Sequence, residues 1–311
     1  MKPVFHLGLR LGLLITMTLL SVMSNVQASE LAIKNTFANG DEASFPIQFR
    51  QGMIFVPVRL NGSKPLSFVL DTGSTRMLID RTLANGLGLK ATGQGSLQGA
   101  GTGRIPIEFV PNVTIVFAGL ESTGYEFSTA DLRPLEASLG VKVDGILGYE
   151  LFRRFVVTID YESKTLTLTL PKAFHSVEST QALPIEFRDK WAFVKGNLEL
   201  PGPVTLQDSF LIDSGSGDAV DHPIVMKLQA RTETRSGVGL GNATQGATAQ
   251  ARSFQLGRYT LPNPTVSCCG ATDATSKLIG NDVLRFFTVT FDYPSARILI
   301  TPNAAFPTRR E

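Results

Sequence analysis

One pattern is written twice in this chain, and the repeat restricts its fold more than any other feature. Phe68-Val69-Leu70-Asp71-Thr72-Gly73-Ser74 is answered 142 positions later by Phe210-Leu211-Ile212-Asp213-Ser214-Gly215-Ser216. Phe45-Pro46-Ile47-Gln48-Phe49-Arg50 is matched at an offset of 138 by Leu183-Pro184-Ile185-Glu186-Phe187-Arg188. Gly145-Ile146-Leu147-Gly148 is matched by Lys277-Leu278-Ile279-Gly280, and Val157-Thr158-Ile159-Asp160-Tyr161 by Val289-Thr290-Phe291-Asp292-Tyr293, both at an offset of 132. Four phrases in one order identify a duplicated unit of about 125 residues, an ordinary domain size. Two copies are too few for a solenoid. The expected arrangement is a closed pair of pseudo-symmetric lobes. The N-terminal lobe is placed at 29–174, a polar linker at 175–183, the C-terminal lobe at 184–306 and a tail at 307–311.

Alternating runs such as Ile54-Phe55-Val56-Pro57-Val58-Arg59-Leu60 and Lys164-Thr165-Leu166-Thr167-Leu168-Thr169-Leu170 have the two-residue period of strands. Asn61-Gly62 follows the first run and signals a hairpin turn. Many short runs of this kind, with 29 Gly and 17 Pro in 311 residues, predict an all-β fold. Helical signals are brief: Asp80 to Leu89, Asp131 to Leu139, and a turn near Asp282 to Phe286.

The N-terminus has the make-up of a secretory signal over residues 1–28. Lys2 and Arg10 precede an apolar run from Leu11 to Val22, and Val26-Gln27-Ala28 supplies small residues for cleavage. The apolar run is short for a membrane span. A periplasmic or secreted chain with no stable membrane association after cleavage is expected. Of 29 Lys plus Arg, 27 remain after cleavage, against 27 Asp plus Glu. That balance provides no basic field for nucleic acid. The only cysteines, Cys268 and Cys269, are adjacent and cannot staple distant segments, so two buried thiols are expected.

Each acidic phrase runs from three or more apolar residues into an Asp, which suits a buried strand ending at a loop. The glycine permits a backbone that residues with Cβ avoid, and the hydroxyls of Ser74 and Ser216 are placed to donate to the carboxylates. Two such loops facing each other would bring Asp71 and Asp213 together. Like charges at short range share one proton. One carboxylate can then deprotonate a water while the other, protonated, donates to a carbonyl oxygen. This is amide hydrolysis with neither metal nor covalent intermediate, and no cofactor is expected.

The two phrases Asp71-Thr72-Gly73-Ser74 and Asp213-Ser214-Gly215-Ser216 resemble the active-site loops of aspartic peptidases of the pepsin-like and retroviral type. Ile146-Leu147-Gly148 and Leu278-Ile279-Gly280 match the family's later hydrophobic-hydrophobic-Gly motif, and the resemblance covers nearly the whole mature chain. It implies two β-barrel lobes with a cleft between them, Asp71 and Asp213 as the catalytic pair, and Thr72 and Ser214 as supports beneath it. It also implies a β-hairpin flap over an extended polypeptide substrate. Two Gly-rich stretches suit that role, Gly93 to Gly103 with Gly99, Gly101 and Gly103, and Gly237 to Gly246 with Gly239 and Gly241. Departures from the pepsin-like pattern are clear. No tyrosine lies between Ala91 and Val110, no pro-segment of ordinary length precedes Phe45, and the three-disulfide pattern is missing. The chain therefore reads as a compact bacterial-style member, an exported monomeric endopeptidase with an acidic optimum. The alternative is a scaffold that has lost catalysis and binds a peptide or apolar ligand.

Other constellations carry less. Asp218, Asp221 and His222 lie close together, but no second cluster completes a metal site, and no metal is expected. Gly99-Ala100-Gly101-Thr102-Gly103 lacks a following Lys-Ser/Thr and is not a nucleotide loop. No serine has a nucleophile-elbow context. Trp191 is expected in the core, and Asp160-Tyr161 and Asp292-Tyr293 at strand-ending turns.

Overall fold

In the computed structural model, 54% of the structure is strand and 14% helix. An average globular protein has about 20–25% strand, so the chain is mainly β. The described residues are 34–98, 103–176, 180–202, 204–236, 240, 244–268 and 277–307. Contacts divide the chain into Met1–Glu30 and Leu31–Glu311. The first unit, with the expected signal segment, lies outside the described residues.

Three sheets organise the second unit. In the first, Leu66–Leu70 runs parallel to Gly145–Leu147 and antiparallel to Met53–Leu60, and Gly145–Leu147 runs antiparallel to Met77–Asp80. In another, Val204–Ile212 runs parallel to Leu278–Ile279 and antiparallel to Trp191–Leu200, and Leu278–Ile279 runs antiparallel to Val220–Asp221. Each acidic phrase is thus flanked by the hydrophobic-hydrophobic-Gly phrase of its own copy. The parallel partner explains the continuous apolar run before each Asp, since an interior strand is covered on both faces. Phe68 and Leu70 pack into the larger apolar cluster, whereas Val69 faces a second cluster with Phe55, Leu78 and Ile146.

The remaining sheet takes three strands from each copy. Its order is Gln181–Pro184, Arg297–Pro302, Phe287–Asp292, Val156–Asp160, Thr165–Thr169 and Glu42–Pro46, all antiparallel. The two closing phrases pair at its centre. Thr158 lies opposite Thr290, and their hydroxyl oxygens are 2.9 Å apart. The sequence offset of 132 is thus the register of this central pair. Gln181–Pro184 begins inside the segment read as a linker.

Local signals explain the connections. Asn61 and Gly62 both have positive φ, 47° and 78°, and Ser63 N–H donates to Leu60 O at 2.9 Å, closing the expected turn. Asp80 caps helix Arg81–Gly86 by accepting from Leu83 N–H, and Pro134 near the start of Arg133–Leu139 suits a first turn. Helix Tyr149–Arg154 is not foreshadowed in the sequence; its six residues directly after Gly148 make fewer than two turns, too short for a periodic pattern to stand out. Phe68, Phe127, Phe152, Phe193, Phe210 and Phe291 are wholly buried. At about 1.5–3 kcal/mol each, such side chains dominate the stability.

Candidate active site

Strands Leu66–Leu70 and Val204–Ile212 deliver Asp71 and Asp213 to the same place. The Asp71 N–H donates to Leu147 O at 3.0 Å, and the Asp213 N–H to Ile279 O at 2.9 Å. The later glycine motifs therefore hold the first atom of each acidic loop.

The loops then bind each other. Thr72 Oγ1 donates to Ile212 O at 2.7 Å and accepts from Ser214 N–H at 2.9 Å. Ser214 Oγ donates to Leu70 O at 3.0 Å and accepts from Thr72 N–H at 3.0 Å. Both side chains are buried, so all four bonds are shielded from water. The expected supporting role of this pair has a concrete form: each hydroxyl closes onto the strand end and loop amide of the other copy.

Gly73 and Gly215 serve a purpose other than the expected one. Neither has a positive φ. Instead each lies against the opposite carboxyl group. A Cβ on Gly73 would stand 2.7 Å from Asp213 Cγ, and one on Gly215 would stand 2.3 Å from Asp71 Cγ. No real Cβ tolerates such contacts, so the requirement is close approach rather than conformational freedom.

The two carboxyl groups act on one another's ionisation. Asp71 also accepts from Ser74 N–H at 3.0 Å, and Asp213 from Gly215 N–H at 2.8 Å. Burial raises the pKa of Asp71, with Asp213 and the Gly73 and Ser74 amides pulling against it. Burial, followed by the charge of Asp71, raises Asp213 well above the ordinary carboxylate value. Such a pair holds one proton between them.

The serine hydroxyls do not serve the carboxylates as expected. Ser74 Oγ donates to Arg76 O at 2.8 Å, and Ser216 Oγ lies 3.5 Å from Asp218 Oδ2. Backbone amides take their place because each loop curls its N–H groups onto its own Asp.

Trp191 is not a core residue. It is half-buried, lines the cavity holding Asp71 and Asp213, and donates from Nε1 to Gly73 O at 2.9 Å. Asn281, which the sequence did not single out, is fully buried. Its Nδ2 donates to Ser214 O and to Gly52 O, both at 2.7 Å, and its Oδ1 accepts from Tyr161 OH at 2.8 Å. Asp160 and Asp292 do close turns, accepting from Ser163 N–H and Ser295 N–H respectively.

The cavity around the dyad measures about 520 Å³. Val69, Leu78, Ile146, Leu135 and Leu139 form its apolar wall. Two hairpins border it. Gly93–Gln98 pairs with Arg104–Phe117, and Ser96, Leu97 and Arg104 reach the cavity. Thr232–Ser236 pairs with Thr244–Gln250, and Leu240 between them reaches it too. Of the expected flap glycines, Gly103 precedes strand Arg104–Phe117, whereas Gly99, Gly101, Gly239 and Gly241 lie outside the described residues.

The Asp218–Asp221–His222 group is dispersed. His222 Nδ1 accepts from Ile224 N–H at 3.1 Å, and Nε2 faces Asp208 Oδ2 at 3.4 Å. Asp221 lies in strand Val220–Asp221, and its Oδ1 finds no hydrogen-bond partner among the described residues. Cys268 is buried, and Cys269 lies outside the described residues.

Residues 56–151 match the model of a family described as aspartyl proteases, which belongs to the retropepsin-like clan. The matched segment contains Asp71-Thr72-Gly73-Ser74 and Ile146-Leu147-Gly148, so the resemblance is borne out over the first copy. No curated protein matches the chain.

Proposed function

We propose that this chain is an exported aspartic endopeptidase in which Asp71 and Asp213 activate a water between them. The reciprocal packing of the two acidic loops carries the reading, since each glycine gives way to the other loop's carboxyl group. Two β-barrel lobes, 29–174 and 184–306, are joined by 175–183 and related by a pseudo-two-fold axis. The matched pairings of the acidic strands and the central Thr158–Thr290 pair support that division. Both acidic loops come from one chain, so a monomer suffices for activity. The apolar run from Leu11 to Val22 and the small residues before Ser29 support export to the periplasm or beyond.

The pair carries one proton between them, and we take it to start on Asp213. Asp71 takes a proton from the water, and the resulting hydroxide adds to the scissile carbonyl carbon. Asp213 gives its proton to the carbonyl oxygen, forming a neutral tetrahedral diol. Proton return to the amide nitrogen then lets the C–N bond break. Water and a polypeptide are the only reactants, and the substrate lies in the cavity bordered by the two hairpins.

The test is digestion of a denatured protein mixture by the purified mature chain across pH 3 to 8. Asp71→Asn and Asp213→Asn variants run in parallel, with pepstatin and EDTA arms. Cleavage that resists EDTA and disappears in both variants, with native far-UV circular dichroism, is expected. Full activity in either variant refutes the mechanism. Intact substrate at every pH leaves the scaffold without catalysis.

A further inference from the structure

We propose that the cleft selects peptides bearing a carboxylate side chain beside the scissile bond, and that Arg76 and Arg104 read that carboxylate. The inference rests on the peptidase reading and deepens it by naming a substrate class. Outside the dyad, the charged residues of the cavity lining are Arg76, Arg104, Lys190 and Asp189. Their charges are matched unequally. Lys190 Nζ lies 3.3 Å from Glu150 Oε1, so it is already paired. Asp189 is exposed at a turn with φ 55°, on the same hairpin as Lys190 and Trp191.

The two arginines have no comparable partner. Arg76 Nη1 is 3.7 Å from Glu126 Oε1, and both side chains are well exposed, at 38% and 57%. A loose exposed pair of this kind is worth little. Arg104 donates from Nε to Ser96 Oγ at 2.8 Å and from Nη2 to Ser96 O at 3.3 Å. It meets no carboxylate among the described residues. Both guanidiniums therefore keep N–H donors for a ligand, and a guanidinium suits a carboxylate in fork geometry.

Both are also held in position. Arg76 lies two residues beyond Ser74, and its carbonyl accepts the Ser74 hydroxyl. Its guanidinium stacks 5.1 Å from the Phe109 ring centroid. Phe109 packs on the same apolar cluster that supplies Val69, Leu78 and Ile146 to the cavity wall. Arg104 is fixed to the Gly93–Gln98 strand through Ser96. The occupant that fits is an extended peptide with an apolar residue against the wall and Asp or Glu nearby.

The probes are short synthetic peptides with a Leu–Leu centre, carrying one Glu or one Gln at each flanking position in turn. The wild type is expected to cleave the best Glu peptide with kcat/KM about tenfold above its Gln twin, the worth of one charged hydrogen bond. That ratio falls towards one in Arg76→Gln plus Arg104→Gln, is largely kept in Arg104→Lys, and shrinks as salt is raised. Comparing twins within each variant cancels any loss of fold or basal rate. A wild-type ratio near one at every position overturns the proposal even though cleavage upholds the peptidase reading.

If neither twin is cut, the peptidase reading fails and binding decides the inference. Trp191 is the chain's only tryptophan and lines the same cavity, so its fluorescence follows occupancy directly. Tighter binding of the Glu twin sustains a carboxylate-selective cleft without catalysis. Equal binding, or none, overturns it.

Discussion

Replacing Asp221 with Asn isolates one buried charge and its dependence on pH. Asp221 is 7% exposed, and the sheet register matches it in the first copy to the buried Leu78, since Asp221 pairs with Leu278 as Leu78 pairs with Ile146. Burial, and after it the charge of Asp218, push its pKa from 3.8 to about 7. Because the native pKa is raised, the unfolded chain loses this proton at lower pH than the folded one. Asp221 therefore imposes a penalty that is nearly absent at pH 4, grows as pH rises towards about 7, and is constant above that. A shift of about three units at 1.36 kcal/mol each sets the full penalty at about 4 kcal/mol. Asn keeps the shape and much of the polarity, so its own burial cost is common to both ends of the range. Urea unfolding of wild type and Asp221→Asn, at pH 4 and pH 8, measures the difference. The variant is expected to gain on the wild type by about 4 kcal/mol between the two conditions. An equal stability change at both pH values refutes the assignment of a neutral buried carboxyl to this site.

The dyad makes a separate prediction about rate. Burial raises both Asp71 and Asp213, so kcat/KM should be bell-shaped with both limbs above the ordinary carboxylate pKa. Activity falls in acid as the pair gains a second proton, and in base as it loses the shared one; a rate still rising beyond neutrality counts against this. Gly215→Ala should lose most activity while keeping native circular dichroism, because its methyl must displace the Asp71 carboxyl group; wild-type kcat would show that the loops do not touch. Thr72→Ala strands Ile212 O and Ser214 N–H and should cost about 2–4 kcal/mol in urea unfolding. Thr72→Ser, which keeps both bonds, should cost about 1 kcal/mol.

Much of this architecture could be read from the duplicated phrases. Phe68-Val69-Leu70 and Phe210-Leu211-Ile212 announce strands covered on both faces, and their paired carboxylates announce two loops that meet. What the sequence withheld was mostly long-range. Asn281 connects to Gly52 and Ser214, 229 and 67 positions away, and no local pattern encodes such a bridge. Trp191 alternates correctly for a strand, but only the approach of the other copy turns it into a cleft wall. The serine hydroxyls mislead because a side-chain donor is visible in sequence, while the backbone N–H that takes its place is common to almost every residue. The glycines were right for a reason no one-dimensional reading supplies. They leave room for carboxyl groups 140 and 144 positions away. Comparison of the two copies could have flagged Asn281, since it stands where the first copy has Tyr149.

The sheet shared by both copies has a bearing on how such a chain could have arisen. Its inner strands, Val156–Asp160 and Phe287–Asp292, complete each other's hydrogen bonding at the centre. A polypeptide ending after the first copy would leave Val156–Asp160 as an open edge, with its amides and carbonyls unpaired. The nearest complement to that edge is the same edge on another molecule, turned about a two-fold axis. A single-copy ancestor would thus dimerise through this edge, and that dimer would also be the smallest object with two aspartates in one place. Joining the genes end to end removes the concentration dependence of that assembly. It also frees the copies to differ, as they do at Tyr149 against Asn281 and at Leu78 against Asp221.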